Sequence, residues 1–223
     1  MLTLRYQALA LLFALTTAAV LPPQVRSTAS VTTAQLLAIS PKSCTCADAE
    51  YPAQCRTAAQ AAPAIASSLA TYGITSPAEM AAVVGTMAFE SGDFKYNINY
   101  YPGNPGQGTR NMQSAAMNLL YASSIPALSS SLHAVTGGTN SAQSLSAVQR
   151  NDVRGLLTAN DTYDFGSGAW FLTTQCPQSV RSALHEVGQA GWEEYITGCI
   201  GTTATDGRIA YWHSAMNAFE AFY

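Results

Sequence analysis

One glutamate, Glu90, occupies a position from which it could act as a general acid. Before it, Met80, Val83, Val84 and Met87 recur at helical spacing and predict a helix with one buried face. Glu90 follows Val83 by seven residues and Met87 by three, so it belongs to that face. We therefore expect a partly desolvated carboxyl group, an environment that suits proton transfer to a leaving group. The alternative is a solvated side chain at a fraying helix end.

The helix that carries this glutamate is marked at both ends. Ser76, Pro77 and Glu79 predict a capping-box start, because such side chains satisfy the backbone N–H groups that a helix leaves free. Gly92 is typical of the position at which a helix ends. Residues 95–110 then contain three Tyr, three Asn, two Pro and three Gly, which excludes regular helix. Loops of this length are usually functional, so we predict a long polar active-site loop.

Composition and charge limit the classes of function. Residues 1–19 carry Arg5, an apolar run and small residues, which predicts a secretory signal peptide and an extracellular protein. Cleavage near Ala19 and cleavage near Ala29 fit equally well. Only 10% of the residues are charged, with a formal net charge of −3. We expect neither a nucleic acid nor a membrane as a partner, because both need clustered cations or a long apolar span; an uncharged substrate suits the chain better.

Five cysteines in an exported chain indicate disulfide bonds. We expect Cys176 to pair with Cys199, and Cys55 to pair with Cys44 or Cys46. The cysteine left over could be a free thiol or could bridge two chains. No metal site is expected, since no His lies near the cysteine cluster, and no cofactor is predicted.

The whole chain predicts an all-α fold. Residues 20–57 are expected to form a loose, cysteine-containing arm with at most a short helix at 33–39, and residues 58–223 a single helical domain. Asn160 begins an Asn-Asp-Thr sequon, so it is a predicted glycosylation site on a surface loop. Besides the helix that ends at the glutamate, we expect helices at 58–72, 114–121, 126–135, 144–157, 164–174, 178–187, 192–196 and 206–222.

Several motifs resemble the lysozyme-like superfamily. Phe89-Glu90-Ser91 at a helix end, followed by a Tyr- and Gly-rich loop and Met112-Gln113, resembles lytic transglycosylases and goose-type lysozymes, whose catalytic Glu is followed by Ser. A longer series of features is similar to the plant-type chitinases of glycoside hydrolase family nineteen and their endolysin relatives. The features that carry it are Tyr101, Gly106, Gly108, Gln113-Ser114, Asn118 with Tyr121, Phe165 to Phe171, Cys176-Pro177, Cys199 and Arg208 to Trp212.

The resemblance implies a lysozyme-like domain that cleaves a β-1,4-linked amino sugar polymer, either chitin or peptidoglycan. Glu90 would protonate the glycosidic oxygen. The chitinases carry a second Glu in the following loop, whereas here no Glu occurs between Ser91 and His185. Asp93 is the only carboxylate of that loop region and is the candidate for the second catalytic acid; it could instead face solvent.

Residues around the loop are candidates for binding the polysaccharide. Tyr side chains could stack on sugar rings, and Asn or Gln could hydrogen-bond hydroxyl or N-acetyl groups, with loop packing and turn formation as the alternatives. Arg110 could remain in the cleft, and its partner could be Glu90. The candidate substrate-binding residues are Ser91, Tyr96, Asn99, Tyr101, Arg110, Asn111 and Gln113.

Two functions from different classes follow. The first is a secreted glycoside hydrolase or lytic enzyme with Glu90 as the general acid. The second is a non-catalytic secreted protein that binds carbohydrate or a host component on the same scaffold. The missing second Glu and the odd cysteine favour the second.

Overall fold

The part of the chain that the structure describes, residues 30–186 and 188–220 of a computed structural model, is built from α-helices. The all-α prediction is confirmed: about 64% of the structure is helical, and extended pairing in the described residues is limited to isolated bridges around Gly108. The predicted signal peptide, residues 1–19, lies outside the described residues. None of the described helices combines the length and apolar character needed to cross a membrane.

The helices agree closely with the periodicity of the sequence. They are α1 Thr33–Ile39, α2 Ala58–Thr71, α3 Pro77–Glu90, α4 Ala115–Ser123, α5 Ser129–Thr136, α6 Ala147–Thr158, α7 Asp161–Asp164, α8 Ser167–Thr174, α9 Gln178–Glu186, α10 Gln189–Glu194 and α11 Asp206–Glu220. Tight helical turns occur at Pro41–Cys44, Pro126–Leu128 and Ala142–Ser144, and a wider π turn at Tyr195–Ile200.

Helix α3 runs through the middle of the fold. Its residues from Glu79 to Ala88 are all buried, so the helix is enclosed on every side and not on one face as predicted. Its main neighbour is α11, and α8 and α9 pack beside it. Gly85 permits the close approach of α11, because a β-carbon at this position would lie 3.1 Å from the carbonyl oxygen of Tyr211. This packing fixes the position of the C-terminal end of α3.

The start of α3 is stabilised differently from the predicted capping box. Pro77 is at the first helical position as expected, but Ser76 makes no capping hydrogen bond and its hydroxyl lies 3.0 Å from Nδ1 of His185. Glu79 accepts a 2.6 Å hydrogen bond from Nε of Arg181. Side chains of α9 therefore contact both Ser76 and Glu79, the residues of the predicted capping box.

The segment before α2 is not a loose arm over the residues that are described. Helix α1 begins with a capping box formed by Thr32 and Gln35, and it buries Leu36 and Ile39 against the core. It packs on α2 and α11, and Nε2 of Gln35 donates to the carbonyl oxygen of Ala218 at 3.3 Å. The buried apolar side chains hold this segment on the domain.

Two disulfides constrain the chain. Cys176 is bonded to Cys199, as predicted, and Cys46 is the partner of Cys55. The first bond closes a separation of 23 residues, for which the loop-entropy model gives a stabilisation of roughly 3 kcal/mol. Cys44 is exposed and unpaired, so a bond between two chains stays a prediction.

The sequon residue Asn160 is exposed, as predicted, and it begins α7. Its Oδ1 accepts a 2.8 Å hydrogen bond from the amide of Thr162, so the side chain caps the helix. One helix was predicted for residues 164–174. The structure instead has two helices here, α7 and α8, with Gly166 between them. The described apolar residues that are buried form one cluster, which fits a single helical domain.

Candidate active site

A cavity of about 320 Å³ opens where α3 ends. Its wall combines segments that are far apart in the sequence: α3, the loop before α4, α4 itself, α8, the turn at Ile200 and the first turn of α11. Four apolar residues and eight polar ones line it: Met112, Met117, Phe171 and Ile200; and Thr86, Glu90, Gln107, Asn111, Gln113, Ser114, Thr202 and Arg208. Glu90 is the only carboxylate among these lining residues.

The carboxylate of Glu90 is held by an arginine of α11. Nε and Nη2 of Arg208 donate to Oε1 of Glu90 at 2.9 and 2.7 Å, and Nη1 donates to the carbonyl oxygen of Thr203. The guanidinium also lies 4.9 Å from the ring centre of Phe89. About 20% of the Glu90 side chain is exposed, which agrees with the expected partial desolvation. Among the described residues, no hydrogen bond uses its other oxygen, Oε2.

Arg110 is not the partner of Glu90 and does not line the cavity. It is fully buried and donates from Nε to Oδ2 of Asp164 at 2.8 Å. Its other nitrogens donate to the carbonyl oxygens of Phe94, at 2.7 Å, and Gln54, at 2.6 Å. The structure therefore places Arg110, a predicted substrate-binding residue, outside the cavity. Its planar group instead fastens the loop to α7 and to the segment before α2.

Asp93 and Ser91 also point away from the cavity. After α3 the backbone takes left-handed conformations at Gly92, Asp93 and Phe94, with φ values of 56°, 61° and 64°. Asp93 is buried, and its Oδ1 accepts hydrogen bonds from the hydroxyls of Ser40, at 2.5 Å, and Tyr211, at 2.8 Å. The hydroxyl of Ser91 donates to the carbonyl oxygen of α3 four residues earlier and accepts from the Phe94 amide. Neither side chain lines the cavity, so the structure places Asp93, the candidate for the second catalytic acid, and Ser91, a candidate for substrate binding, outside it.

Three further candidates belong to the outer part of the loop. Tyr96 meets the rings of Tyr51 and Tyr100 edge-on, with ring centres 6.0 and 6.3 Å away. Oδ1 of Asn99 accepts from two backbone amides further along the loop and so organises its turn. Tyr101 is 93% exposed. None of these three candidates lines the cavity.

Asn111 and Gln113 do line the cavity, as predicted. Oδ1 of Asn111 accepts a hydrogen bond from Ser167, while Nε2 of Gln113 donates to Oδ1 of Asn118 at 2.8 Å. Oε1 of Gln113 and the hydroxyl of Thr86 are buried without a hydrogen-bond partner within the described residues. Buried polar atoms are nearly always paired, so these two are exceptions among the residues of the cavity wall.

Sequence reasoning missed much of this wall. Thr86, Gln107, Met117, Ile200 and Thr202 carry no local signal of a site. Phe171 carried one, because it ends the Phe165 to Phe171 motif of the chitinase resemblance. Arg208 did carry one, because it begins the last motif of the chitinase resemblance. That motif does not, however, predict which carboxylate pairs with the guanidinium of Arg208.

The fold and the site thus define an all-α domain with an amphipathic cavity and one carboxylate in its wall. No family model matches the chain, and no solved structure is found to match it. A bifunctional dioxygenase (DOX)-epoxy alcohol synthase (EAS) of Fusarium oxysporum (strain Fo5176) is 48% identical over 160 residues, which is 72% of this chain and 12% of that relative. The matched region is thus a small part of the relative.

Proposed function

We propose that this chain is a secreted glycoside hydrolase or lytic enzyme on a lysozyme-like scaffold, which cleaves a β-1,4-linked amino sugar polymer with Glu90 as the general acid. One observation carries the proposal. Glu90 and Arg208 both belong to motifs that resemble the lysozyme-like superfamily. They are 118 residues apart in the sequence and meet in the wall of one cavity.

The lining of the cavity suits a sugar. A pyranose ring has apolar faces made of C–H groups and an edge of hydroxyls. Met112, Met117 and Phe171 offer apolar surface, and the amides of Asn111 and Gln113 offer hydrogen bonds beside it.

The chemistry centres on one acid. Arg208 occupies only Oε1 of Glu90, which leaves Oε2 for the glycosidic oxygen. In the proposed step a proton carried on Oε2 passes to the glycosidic oxygen as the bond to the leaving sugar breaks. The Glu90 carboxylate that results takes up a proton from the hydroxyl that attacks the anomeric carbon, which belongs to water in hydrolysis and to the same sugar in the lytic route. An inverting hydrolase needs a second carboxylate about 6.5–9.5 Å from the first, and the cavity lining holds none. The arrangement therefore favours a single-acid route, as the resemblance to lytic transglycosylases implies.

Mass spectrometry of the products tests this proposal. The wild-type protein and a Glu90→Gln variant are incubated with chitin oligomers and with peptidoglycan. We expect fragments from the wild type only, and fragments that lack one water identify a lytic transglycosylase. Glu186→Gln is the matched control, because Glu186 is exposed and lies outside the cavity. Undiminished cleavage by the Glu90→Gln variant would refute the role of Glu90.

A non-catalytic protein that binds carbohydrate is the second candidate. The observation that favours it is the lone carboxylate of the lining, together with the burial of Asp93 under two hydroxyls. Binding of chitin oligomers without any product from either polymer would establish it. The oxygenase and synthase activities in the name of the Fusarium relative are those of a protein of which this chain matches 12%.

A further inference from the structure

The Cys176–Cys199 bond joins two segments of the cavity wall. The amide of Cys176, just beyond the end of α8, donates at 3.3 Å to the carbonyl oxygen of Phe171, which lines the cavity. Cys199 immediately precedes Ile200, another lining residue, and Thr202 follows in the same segment. Both halves of the bond are therefore continuous with residues of the cavity wall.

The segment that follows Cys199, residues 200–205, also holds Arg208. Nη1 of Arg208 donates to the carbonyl oxygen of Thr203 at 3.0 Å, and its backbone amide donates to the hydroxyl of Thr205 at 3.4 Å. The other two nitrogens of the same guanidinium contact Oε1 of the candidate acid. The position of this segment therefore determines where one end of the guanidinium is anchored.

Packing constrains this segment only weakly. None of residues 197–210 is fully buried, and the segment begins where the π turn ends. The amides of Gly201 and Thr202 both donate to the carbonyl oxygen of Ile196, so a single acceptor of that turn receives both bonds. Segments with few buried contacts open locally at a low cost in free energy. The covalent bond at Cys199 is therefore the strongest constraint on the position of this segment.

We propose that the Cys176–Cys199 bond is a positioning element of the candidate active site. By fixing residues 200–205, it keeps Arg208 in contact with Glu90. This inference rests on the proposed function and adds regulation to it, because reduction of one bond lowers the activity while the acid itself stays in place.

A small dithiol such as dithiothreitol can reduce this bond. Cys199 is partly exposed, whereas Cys176 is buried, so the attack falls on the sulfur of Cys199. A thiolate of the dithiol bonds to that sulfur and releases the Cys176 thiolate, and the second thiol of the reagent then releases Cys199. The protein gains two thiols and the dithiol becomes a cyclic disulfide. Activity should fall on this treatment in the intact chain and should not respond in a chain that lacks the bond.

A double-mutant cycle tests whether the bond acts through Arg208. Cys176→Ser with Cys199→Ser removes the bond, and kcat for the polymer cleaved in the product assay is measured at a temperature where circular dichroism shows a folded chain. We expect kcat to fall roughly 10-fold, because a small displacement of an orienting group slows a reaction by such factors. In the Arg208→Gln background the same change should lower kcat by less than about twofold, since residues that act through one group are not additive.

The other described disulfide provides the matched control. Cys46→Ser with Cys55→Ser removes a bond of which neither half lines the cavity, and it should leave kcat within about twofold of the intact chain.

Amide hydrogen exchange followed by mass spectrometry monitors the segment without any substrate. When the Cys176–Cys199 bond is removed, the amides of residues 200–209 should exchange roughly 10-fold faster, while those of α3 keep their protection. Unchanged exchange in this segment overturns the positioning role. Faster exchange throughout α3 also overturns it, because the bond would then only stabilise the whole domain.

The two measurements separate this inference from the proposed function. A kcat that is unchanged without the bond, or that falls by the same factor with and without Arg208, overturns the positioning role and leaves the enzyme standing. Locally faster exchange in a chain that cleaves neither polymer rejects the enzyme, while the constraint of the bond on the cavity wall stands.

Discussion

Arg208 contacts Glu90 through two nitrogens that converge on a single oxygen, Oε1, at 2.9 and 2.7 Å. The pair joins the end of α3 to the first turn of α11, across 118 residues of sequence. It neutralises the only carboxylate of the cavity lining and fixes its orientation. The side chains are 15% and 20% exposed, so a ligand that enters the cavity can reach the pair.

Replacement of Arg208 should impair turnover more than folding. Arg208→Gln removes the positive charge and the two guanidinium donors that orient Glu90. We expect the rate of sugar release to fall roughly 100-fold, which is within the range for acid catalysis by a positioned group. Arg208→Lys should lose less, because it keeps the charge. Arg56→Gln, in a partly exposed pair with Asp161, is the control. A rate for Arg208→Gln within twofold of the wild type would contradict the prediction.

Thr86 offers a test of the unpaired groups in the cavity wall. Its hydroxyl is buried without a described partner, so Thr86→Val should leave the free energy of unfolding unchanged to within about 1 kcal/mol or should increase it. If the substrate forms a hydrogen bond with this hydroxyl, KM for the variant should rise roughly 3- to 10-fold, because the loss of one hydrogen bond weakens binding by about that factor. Thr71→Val on the exposed face of α2 is the control. An unchanged KM would show that the substrate does not use the hydroxyl.

Arg110 should matter for stability. Arg110→Met leaves the buried carboxylate of Asp164 without its guanidinium and removes the donors to the carbonyl oxygens of Phe94 and Gln54. Loss of one partner from a buried pair costs about 3–5 kcal/mol. Urea unfolding followed by tryptophan fluorescence measures this cost. Arg56→Met, from a partly exposed pair, should cost about 1 kcal/mol or less. Equal stability of the two variants would argue against the structural role of Arg110.

The same buried pair predicts a dependence of stability on pH. Burial raises the pKa of Asp164 from 3.8 to about 6, and Arg110 and Asn97 offset this only in part. The folded state therefore holds this proton more tightly than the unfolded state does. The contribution of Asp164 to the free energy of unfolding is complete below about pH 4 and is lost as the pH rises through about 6.

Comparison with Asp164→Asn isolates this effect, because Asn does not titrate. Between pH 3 and pH 7, the unfolding free energy of the wild type should fall relative to that of the variant by roughly 3 kcal/mol, which is the pKa difference converted at 1.36 kcal/mol per unit. Urea titrations at half-unit pH intervals measure it. If the difference rose with pH instead, Arg110 would be holding the carboxylate in its charged form.

The helices could be predicted because the information for them is local. Apolar spacing and Gly and Pro positions gave α2, α3 and α11 to within a few residues, and the Cys176–Cys199 bond followed from the cysteine count. The main errors concern packing. The segment around α1 has a polar and Ala-rich composition typical of a loose arm, yet a few buried side chains such as Leu36 hold it against α11.

The candidate site shows the same difference between local information and tertiary packing. The sequence by itself determined that Glu90 ends a helix and that a polar loop follows, because helix geometry and chain connectivity fix positions a few residues apart. The tertiary structure decided that Asn111 and Gln113, more than twenty residues further on, share a cavity with the acid. Only the tertiary structure decided that Arg208 meets Glu90, that Arg110 is buried with Asp164, and that Asp93 turns away from the cavity. These pairings join segments more than fifty residues apart, and close packing of the helices selects among charged partners that the sequence alone leaves equivalent.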